Sequence, residues 1–146
     1  MATRNTITSA DATFVLSVAS LFAAGVSIEG FAVDAAFATP SVDVAETVVG
    51  VDGKMSAGWI PRTYDMTVSL QADSSSIAIF DAIQQASDVA RTVYWLNGVI
   101  TLPGIGRSYA FANGVLKNYK PLPDAARTLQ PVEFTITWES VKPAVI

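Results

Sequence analysis

The sequence contains neither cysteine nor histidine. Disulfide bonds, thiolate nucleophiles, zinc sites built from these residues and the Ser-His-Asp triad are therefore excluded. Only carboxylate, lysine, tyrosine or serine chemistry remains available to an active site. Without disulfides, the fold must be stabilised by packing or by oligomerisation.

Basic residues are scarce, and long apolar runs are missing. Nine Lys and Arg face thirteen Asp and Glu, which gives a net charge of −4 and argues against a basic nucleic-acid interface. No apolar run approaches the roughly 18 residues of a membrane helix, so we expect no membrane partner. Phe14–Val26 is apolar enough to resemble a signal-peptide core. However, Ser17, Ser20 and Gly25 interrupt it and Met1–Asn5 supplies no basic stretch, so a buried strand is favoured over a cleaved signal.

The length of 146 residues and the apolar content of 51% indicate one folded domain over residues 1–146. The elements run as strands, one helix and further strands. This order predicts a mainly β fold: a β-sandwich or barrel of two packed antiparallel sheets with one flanking α-helix. The predicted strands are Thr13–Ser20, Val26–Phe31, Thr63–Leu70, Thr92–Leu102, Ser108–Lys120 and Val132–Glu139, with a loop at 32–40.

One helix is predicted at about residues 75–90. Ile79, Phe80 and Ile83 recur at helical spacing, and Asp73 to Ser76 offer several N-cap residues. Two Asn-Gly pairs punctuate the strands that follow. Asn97-Gly98 predicts a hairpin turn or a bulge, and Asn113-Gly114 predicts a kink.

A β-hairpin arm is predicted at about residues 42–60. Asp52-Gly53 provides the turn between a β-branched segment and its return strand. The arm carries many apolar side chains for a segment that projects into water. It therefore either packs on its own domain or docks on a neighbouring subunit. These side chains are Val42, Val44, Val48, Val49, Val51, Met55, Trp59 and Ile60.

Two strands alternate between an apolar side and a side of hydroxyls and carboxylates, and the first strand has a weaker version of this pattern. The polar side is either the solvated face of an antiparallel sheet or the wall of a water-filled channel. A wall that lets DNA pass should lack Lys and Arg, because each such contact holds a phosphate. The side chains are Thr13 and Ser17; Thr63, Asp65, Thr67 and Ser69; and Glu133, Thr135, Thr137 and Glu139.

Motifs for chemistry are weak. Gly104-Ile105-Gly106 is not followed by a helix, so it lacks the phosphate-binding helix N-terminus. Glu133 and Glu139 lie about 20 Å apart along a strand, too far for a glycosidase pair. We predict no catalytic, cofactor-binding or metal-binding residue, and hence no enzyme. Tyr94, Trp95, Tyr109 and Phe111 could stack on a sugar, although core packing is the favoured interpretation.

Four segments resemble, in order, the tail tube proteins of contractile-tailed phages: residues 48–76, 97–103, 114–117 and 129–139. The similarity extends over about Ala12–Glu139. It implies a tail-tube-like fold, shared in architecture with type VI secretion tube proteins. It further implies hexameric rings that stack into a tube inside a contractile sheath, with DNA passing through the lumen.

The same resemblance assigns roles to the two polar and apolar surfaces. The arm would contact the adjacent ring through Val42, Val44, Val48, Val49, Val51, Lys54, Met55 and Trp59. The hydroxyl and carboxylate side chains named above would face the lumen. Implied partners are further copies of the chain, the tail sheath, baseplate and tail terminator proteins, the tape measure protein and transiting DNA.

The implied location is the phage tail of the virion, assembled in the host cytoplasm, with no cofactor. Two alternatives stay open: another virion structural role, in a baseplate or a non-contractile tube, and a carbohydrate-binding β-sandwich.

Overall fold

The computed structural model describes residues 12–18, 21–29 and 37–145. The sequence-based expectations for Met1–Asn5 and for residues 32–36 lie outside these ranges. The strands are β1 Thr13–Val18, β2 Phe22–Ile28, β3 Phe37–Ala38, β4 Ala45–Val49, β5 Met55–Trp59, β6 Tyr64–Leu70, β7 Leu96–Leu102, β8 Arg107–Asn118 and β9 Val132–Val145; the helix α1 is Ile77–Ala90.

Two antiparallel sheets and one helix make up the described chain, which confirms the predicted fold class. The larger sheet has seven strands in the order β2-β1-β7-β8-β9-β6-β3, and β4 and β5 form a separate two-stranded sheet. In the described part of the chain, no helix is both long and apolar enough to cross a membrane.

The seven-stranded sheet curves until its two halves face each other. Tyr64 and Met66 on β6 line the same cavity as Ile100 and Leu102 on β7, although β8 and β9 separate these strands in the sheet. The ends of the sheet are also tied together. The backbone of Glu29, just after β2, bonds to Ser74 and Ser76, which follow β6. The sheet therefore encloses a core in the manner of a sandwich closed at one corner.

Buried residues of six strands, β1, β2 and β6 to β9, fill that core. Phe14, Met66, Leu96, Phe134 and Trp138 are all at most 1% exposed. The helix packs against the core side of the sheet, where the Phe80 ring stacks on the Phe134 ring with centroids 4.5 Å apart. Burying side chains of this size stabilises the fold by roughly 1.5–3 kcal/mol each.

The start of the helix differs from the expected side-chain cap. Ser76 occupies the N-cap position without a side-chain hydrogen bond to the helix. Its hydroxyl instead accepts a hydrogen bond from the Glu29 N–H at 2.7 Å, and the Ser74 hydroxyl donates to the Glu29 carbonyl at 2.5 Å. The serines thus join the helix to β2. At the other end, Arg91 adopts a left-handed conformation (φ 53°) and its N–H bonds to the Ser87 carbonyl, which terminates the helix.

Several strand limits were predicted wrongly. A short strand, β3, lies inside the predicted loop at 32–40, where pairing with β6 decides the conformation. β9 continues to Val145 because β8 pairs with it along that whole length. β7 begins at Leu96 rather than Thr92, and β2 ends at Ile28. Pairing partners fix these limits, and a single sequence does not reveal them.

The two Asn-Gly pairs meet at one irregularity in the sheet. The β7–β8 register shifts where Ala112 and Asn113 of β8 lie opposite the single residue Asn97 of β7, so the bulge is on β8. β7 pairs regularly with β1 through Asn97 and Gly98, so the turn or bulge predicted at this first pair is wrong. Asn113 has a φ of 54°, and its N–H bonds to the Asn97 side-chain oxygen at 3.3 Å. The predicted kink is confirmed.

Candidate functional site

The arm is a complete two-stranded hairpin. β4 and β5 pair from Ala45 with Trp59 to Val49 with Met55. At the tip, the Gly50 N–H donates to the Lys54 carbonyl at 2.9 Å, and Gly53 takes the positive φ of 83° that the turn requires. The Asp52 carboxylate accepts from the Lys54 N–H at 3.1 Å. The turn predicted at Asp52-Gly53 is confirmed.

The arm does not pack on its own domain. Every residue of β4 and β5 is exposed. Large apolar side chains are more than half exposed: Val44, Val48, Val49, Val51, Met55 and Trp59. Val42 and Ile60, at the base of the arm, are half-buried. This exposure excludes the interpretation in which the arm packs on its own domain. An isolated two-stranded hairpin with such a surface is only marginally stable in water, which favours docking on another protein.

The two sides of the arm differ in chemistry. Side chains alternate along each strand, and paired residues share a side. One side of the arm therefore carries the pairs Val49 with Met55, Thr47 with Ala57 and Ala45 with Trp59. The other side carries Glu46, Val48, Ser56 and Gly58. Gly58 leaves open space: a Cβ placed there would have no neighbour within 4 Å. The first side is the stronger candidate for burial against a partner.

Arg62 fixes the base of the arm. Its guanidinium carbon lies 6.0 Å from the Trp59 ring centroid and 5.7 Å from that of Tyr64, and its Nη1 donates to the Ile60 carbonyl at 3.2 Å. Trp59 belongs to the arm and Tyr64 to the body, so the guanidinium bridges the two by cation–π contacts. Pro61 between them cannot donate to a strand ladder, which separates the two sheets.

The predicted lumen residues on β6 and β9 do come together. We call the side of the seven-stranded sheet away from the core the open face. On it, Asp65 lies opposite Thr137 and Thr67 opposite Thr135. The Thr137 hydroxyl donates to the Asp65 carboxylate at 2.7 Å. Glu133 is exposed at the end of this strip. The strip is a surface of hydroxyls and carboxylates, as the alternation predicts.

Three members of the predicted set stand apart from this strip. Ser69 is only 6% exposed, so its assignment to an exposed wall is wrong. Thr63 is exposed but precedes β6, and Glu139 is exposed where the alternation of β9 changes after Trp138. Strict alternation after Trp138 would turn Ser140 toward the core, but Val141 packs against the core instead.

Thr13 and Ser17 lie on the open face, but β7 and β8 separate them from β6 and β9. Between them the register aligns Val15 with Val99, Val99 with Ala110, and Ala110 with Lys142. This half of the open face is therefore partly apolar and includes a lysine. The expectation of one uniform wall without Lys or Arg is wrong here, because it took strands of similar pattern to be neighbours.

The helix side carries one coupled polar pair. The Tyr119 hydroxyl donates a hydrogen bond to the Asp81 carboxylate. This bond raises the pKa of Tyr119 to about 12, and burial and the negative charges of Asp81 and Asp88 add to the effect. The pair joins the end of β8 to the helix.

The aromatic residues considered for sugar stacking do not form a platform. Phe111 is buried, and Tyr94 and Tyr109 pack against the core. Trp95 alone is more than half exposed. Among the described residues, no three acidic side chains cluster as a metal site would require.

Sequence reasoning missed Arg62 and two exposed leucines, Leu122 and Leu129. Arg62 had a detectable signal, an arginine between Trp59 and Tyr64 beside a proline. The leucines had none, because an isolated leucine in a polar loop looks the same whether it is buried or exposed.

Known proteins match this chain in sequence profile and in fold. The sequence matches the family described as tail fiber protein gp32 over residues 5–142. A search of curated proteins finds no match.

Three solved structures share the fold. A chain of the anti-feeding prophage baseplate, 6-fold symmetrised, aligns with a TM-score of 0.63 at 9% identity over 99% of this chain and 98% of that one. A chain of the tube-terminating cap of the anti-feeding prophage gives 0.58 at 11% identity, covering 100% and 95%. A chain of the sheath–tube complex of the extracellular contractile injection system PVC, in the extended state, gives 0.57 at 14%, covering 91% and 88%.

The family match covers nearly the whole sequence. The chain belongs to the tail fiber protein gp32 family and is a structural protein of a phage tail or contractile injection system.

Proposed function

We propose that this chain is a subunit of a tail tube, in which hexameric rings stack and their bore conducts DNA into the host. Copies of the chain close into a ring, and the arm of each copy docks on a neighbouring ring. The β6–β9 strip of the open face lines the bore. The protein acts without a cofactor and catalyses no reaction.

The observation that carries this proposal is the arm. Six large apolar side chains of the arm are more than half exposed, four of them on a two-stranded sheet that the body does not cover. Burial of one such side chain is worth roughly 1.5–3 kcal/mol, so docking on another protein is strongly favoured over exposure. An arm on one surface and its acceptor on another make a heterologous contact, which generates rings or stacked assemblies.

The β6–β9 strip supports the role of the bore. Asp65 and Glu133 give it negative charge, and Thr67, Thr135 and Thr137 supply hydroxyls. A surface of this kind is wetted but repels phosphate, so DNA would slide past without being held. A ring of six is consistent with the 6-fold symmetry of the anti-feeding prophage baseplate, one chain of which has the same fold.

The proposed partners follow from this position in the particle. The outer surface would meet the tail sheath, and the ends of the tube would meet baseplate and tail terminator proteins. The lumen would hold the tape measure protein and then the transiting DNA. Assembly would take place in the host cytoplasm before the tail joins the virion.

Assembly of the purified chain tests the proposal. At high concentration we expect rings of six and stacked tubes by negative-stain microscopy and by sedimentation. The variant Val49→Asp/Met55→Asp places two charges on the apolar side of the arm. It should form no stacked tubes, although each chain stays folded, because the arm contributes nothing to the core.

A matched control substitutes equally exposed residues outside the arm, Val89→Asp/Val93→Asp, and should still assemble. A wild-type chain that stays monomeric at every concentration tested would refute the proposed function.

A second candidate is a baseplate or tube-end component, in a contractile or non-contractile tail. Two of the three fold neighbours come from a baseplate and from a tube-terminating cap. This role predicts single rings that do not stack and labelling of the tail only at its ends. Antibody labelling of intact tails along their whole length would exclude it.

A further inference from the structure

We infer that the arm of one copy docks on the loop between β8 and β9 of another copy, beside Leu129. This inference rests on the proposed function and identifies the acceptor of the arm. The acceptor consists of the loop at 119–131 and the groove that Leu129 and Pro131 form with Gln71, Ala72 and Asp73, with a volume of about 420 Å³.

The strand register places the arm and this loop at opposite ends of the sheet. β6 begins opposite Trp138, and Trp59, Pro61 and Arg62 lie beside residues 139–142 of β9. The arm therefore leaves the body toward the end of the sheet where β9 finishes. The loop joins Asn118 of β8 to Val132 of β9, at the end where β9 begins.

Opposite ends are what a head-to-tail stack brings together. When identical copies repeat along an axis in one orientation, the end of one copy meets the opposite end of the next. An arm that leaves one end must accordingly find its acceptor at the other. Only a surface that is apolar and accessible at that end fits the arm.

The loop provides such a surface. Leu122 is 72% exposed and Leu129 is 58% exposed, although both belong to an ordered segment. The Lys120 ammonium pairs with the Asp124 carboxylate at 2.8 Å, and the Gln130 N–H donates to the Asp124 carbonyl at 2.8 Å. Because these bonds hold the loop in shape, the leucines remain outside the core of their own chain, and docking requires little ordering.

Charge is complementary between the two surfaces. Residues 42–59 carry Asp43, Glu46 and Asp52 against Lys54, three negative charges against one positive, for a net charge of −2. In the loop at 119–131, Lys120 and Asp124 neutralise each other and Arg127 remains, for a net charge of +1. The groove also carries the Asp73 carboxylate, which is opposite in charge to Lys54 of the arm. With Asp73 the whole acceptor is neutral, so the charge match is local: the acidic residues of the arm with Arg127, and Lys54 with Asp73.

Site-specific crosslinking tests the contact directly. A photoreactive benzoylphenylalanine replaces Leu129, and this chain is mixed with wild-type chain labelled with heavy isotopes before assembly. After irradiation, mass spectrometry should find the light residue 129 joined to residues 42–60 of a heavy chain. Crosslinks from assembled rings or tubes to any other region would overturn this inference and leave the proposed function standing. Failure of the wild-type chain to assemble would overturn both.

Substitution gives a second readout. Leu122→Ser/Leu129→Ser removes apolar contact area without touching the core, so the thermal midpoint of the monomer should not change. We expect the critical concentration for stacking to rise about tenfold or more, since each buried leucine contributes enough to binding for a change of that size. The matched variant Val89→Ser/Val93→Ser should assemble like the wild type. Equal critical concentrations for the two double variants would contradict the assignment.

Discussion

Gly114 lies directly under the largest residue of the core. A Cβ at this position would lie 2.3 Å from Cε3 and 2.6 Å from Cζ3 of the Trp138 indole. Trp138 is fully buried, and its ring also spans Gly98, where a Cβ would lie 3.3 Å from Cη2. The variant Gly114→Ala therefore overfills the core at the point where β7, β8 and β9 meet.

The size of the effect follows from these contacts. Carbon atoms attract best at about 3.5–4.0 Å, so the new methyl group approaches the ring more than 1 Å too closely. The indole has little room to retreat, because the Phe111 ring lies 5.1 Å away and Gly98 is on its other side. Overpacking typically costs about 1–3 kcal/mol, and we expect the upper end of that range. For a domain of this size, the thermal midpoint should fall by roughly 10 °C.

Urea denaturation followed by circular dichroism measures the free energy of unfolding, in the non-stacking Val49→Asp/Met55→Asp background and at low protein concentration. Gly58→Ala is the control, because its methyl group meets no atom within 4 Å and it should change stability by less than about 0.5 kcal/mol. The double variant Gly114→Ala/Trp138→Phe should recover about 1 kcal/mol or more relative to the sum of the single changes. Additive losses, or a Gly114→Ala variant as stable as Gly58→Ala, would refute the steric argument.

Three further predictions concern charge and the two assembly surfaces. Tyr119→Phe removes the hydrogen bond to Asp81, and the pKa of folded Tyr119 is raised from 10.0 to about 12. The variant should therefore be less stable than the wild type by a constant amount below pH 10, and this difference should vanish as the pH rises through 12. A stability difference that grows above pH 10 would contradict this cause. Arg62→Ala should loosen the arm, because it removes the contacts with Trp59 and Tyr64. Spin labels at Val51→Cys and Gln85→Cys, in a chain without other cysteines, should then give a broader distance distribution by pulsed EPR. An unchanged distribution would show that Arg62 does not position the arm. Thr67→Lys/Thr135→Lys should leave ring assembly intact but slow DNA release from reconstituted particles at low salt, whereas Thr67→Gln/Thr135→Gln should not; equal release rates would argue against a bore lined by this strip.

Local chemistry in the sequence determined much of the fold. Alternation of apolar and polar residues identified β6 and the first part of β9 because a strand with one buried face imposes a period of two. The Asp52-Gly53 turn and the irregularity of β8 at Asn113-Gly114 were predictable because few residues tolerate the backbone conformations that such sites require. The helix was predictable because Phe80 and Ile83 follow the helical period.

Only the tertiary structure decided which strands are neighbours and what remains uncovered. Thr13 and Thr67 look alike in sequence, yet β7, β8 and β9 separate their strands, because strand order depends on contacts between residues distant in the chain. Ser69 follows the polar alternation and is nevertheless buried. The valines of the arm resemble core residues in sequence. Only the structure shows that Val48 and Val49 are exposed, because the core around Trp138 is complete without them. Apolar composition reveals that a side chain needs to be buried, whereas the fold determines whether its own chain can bury it.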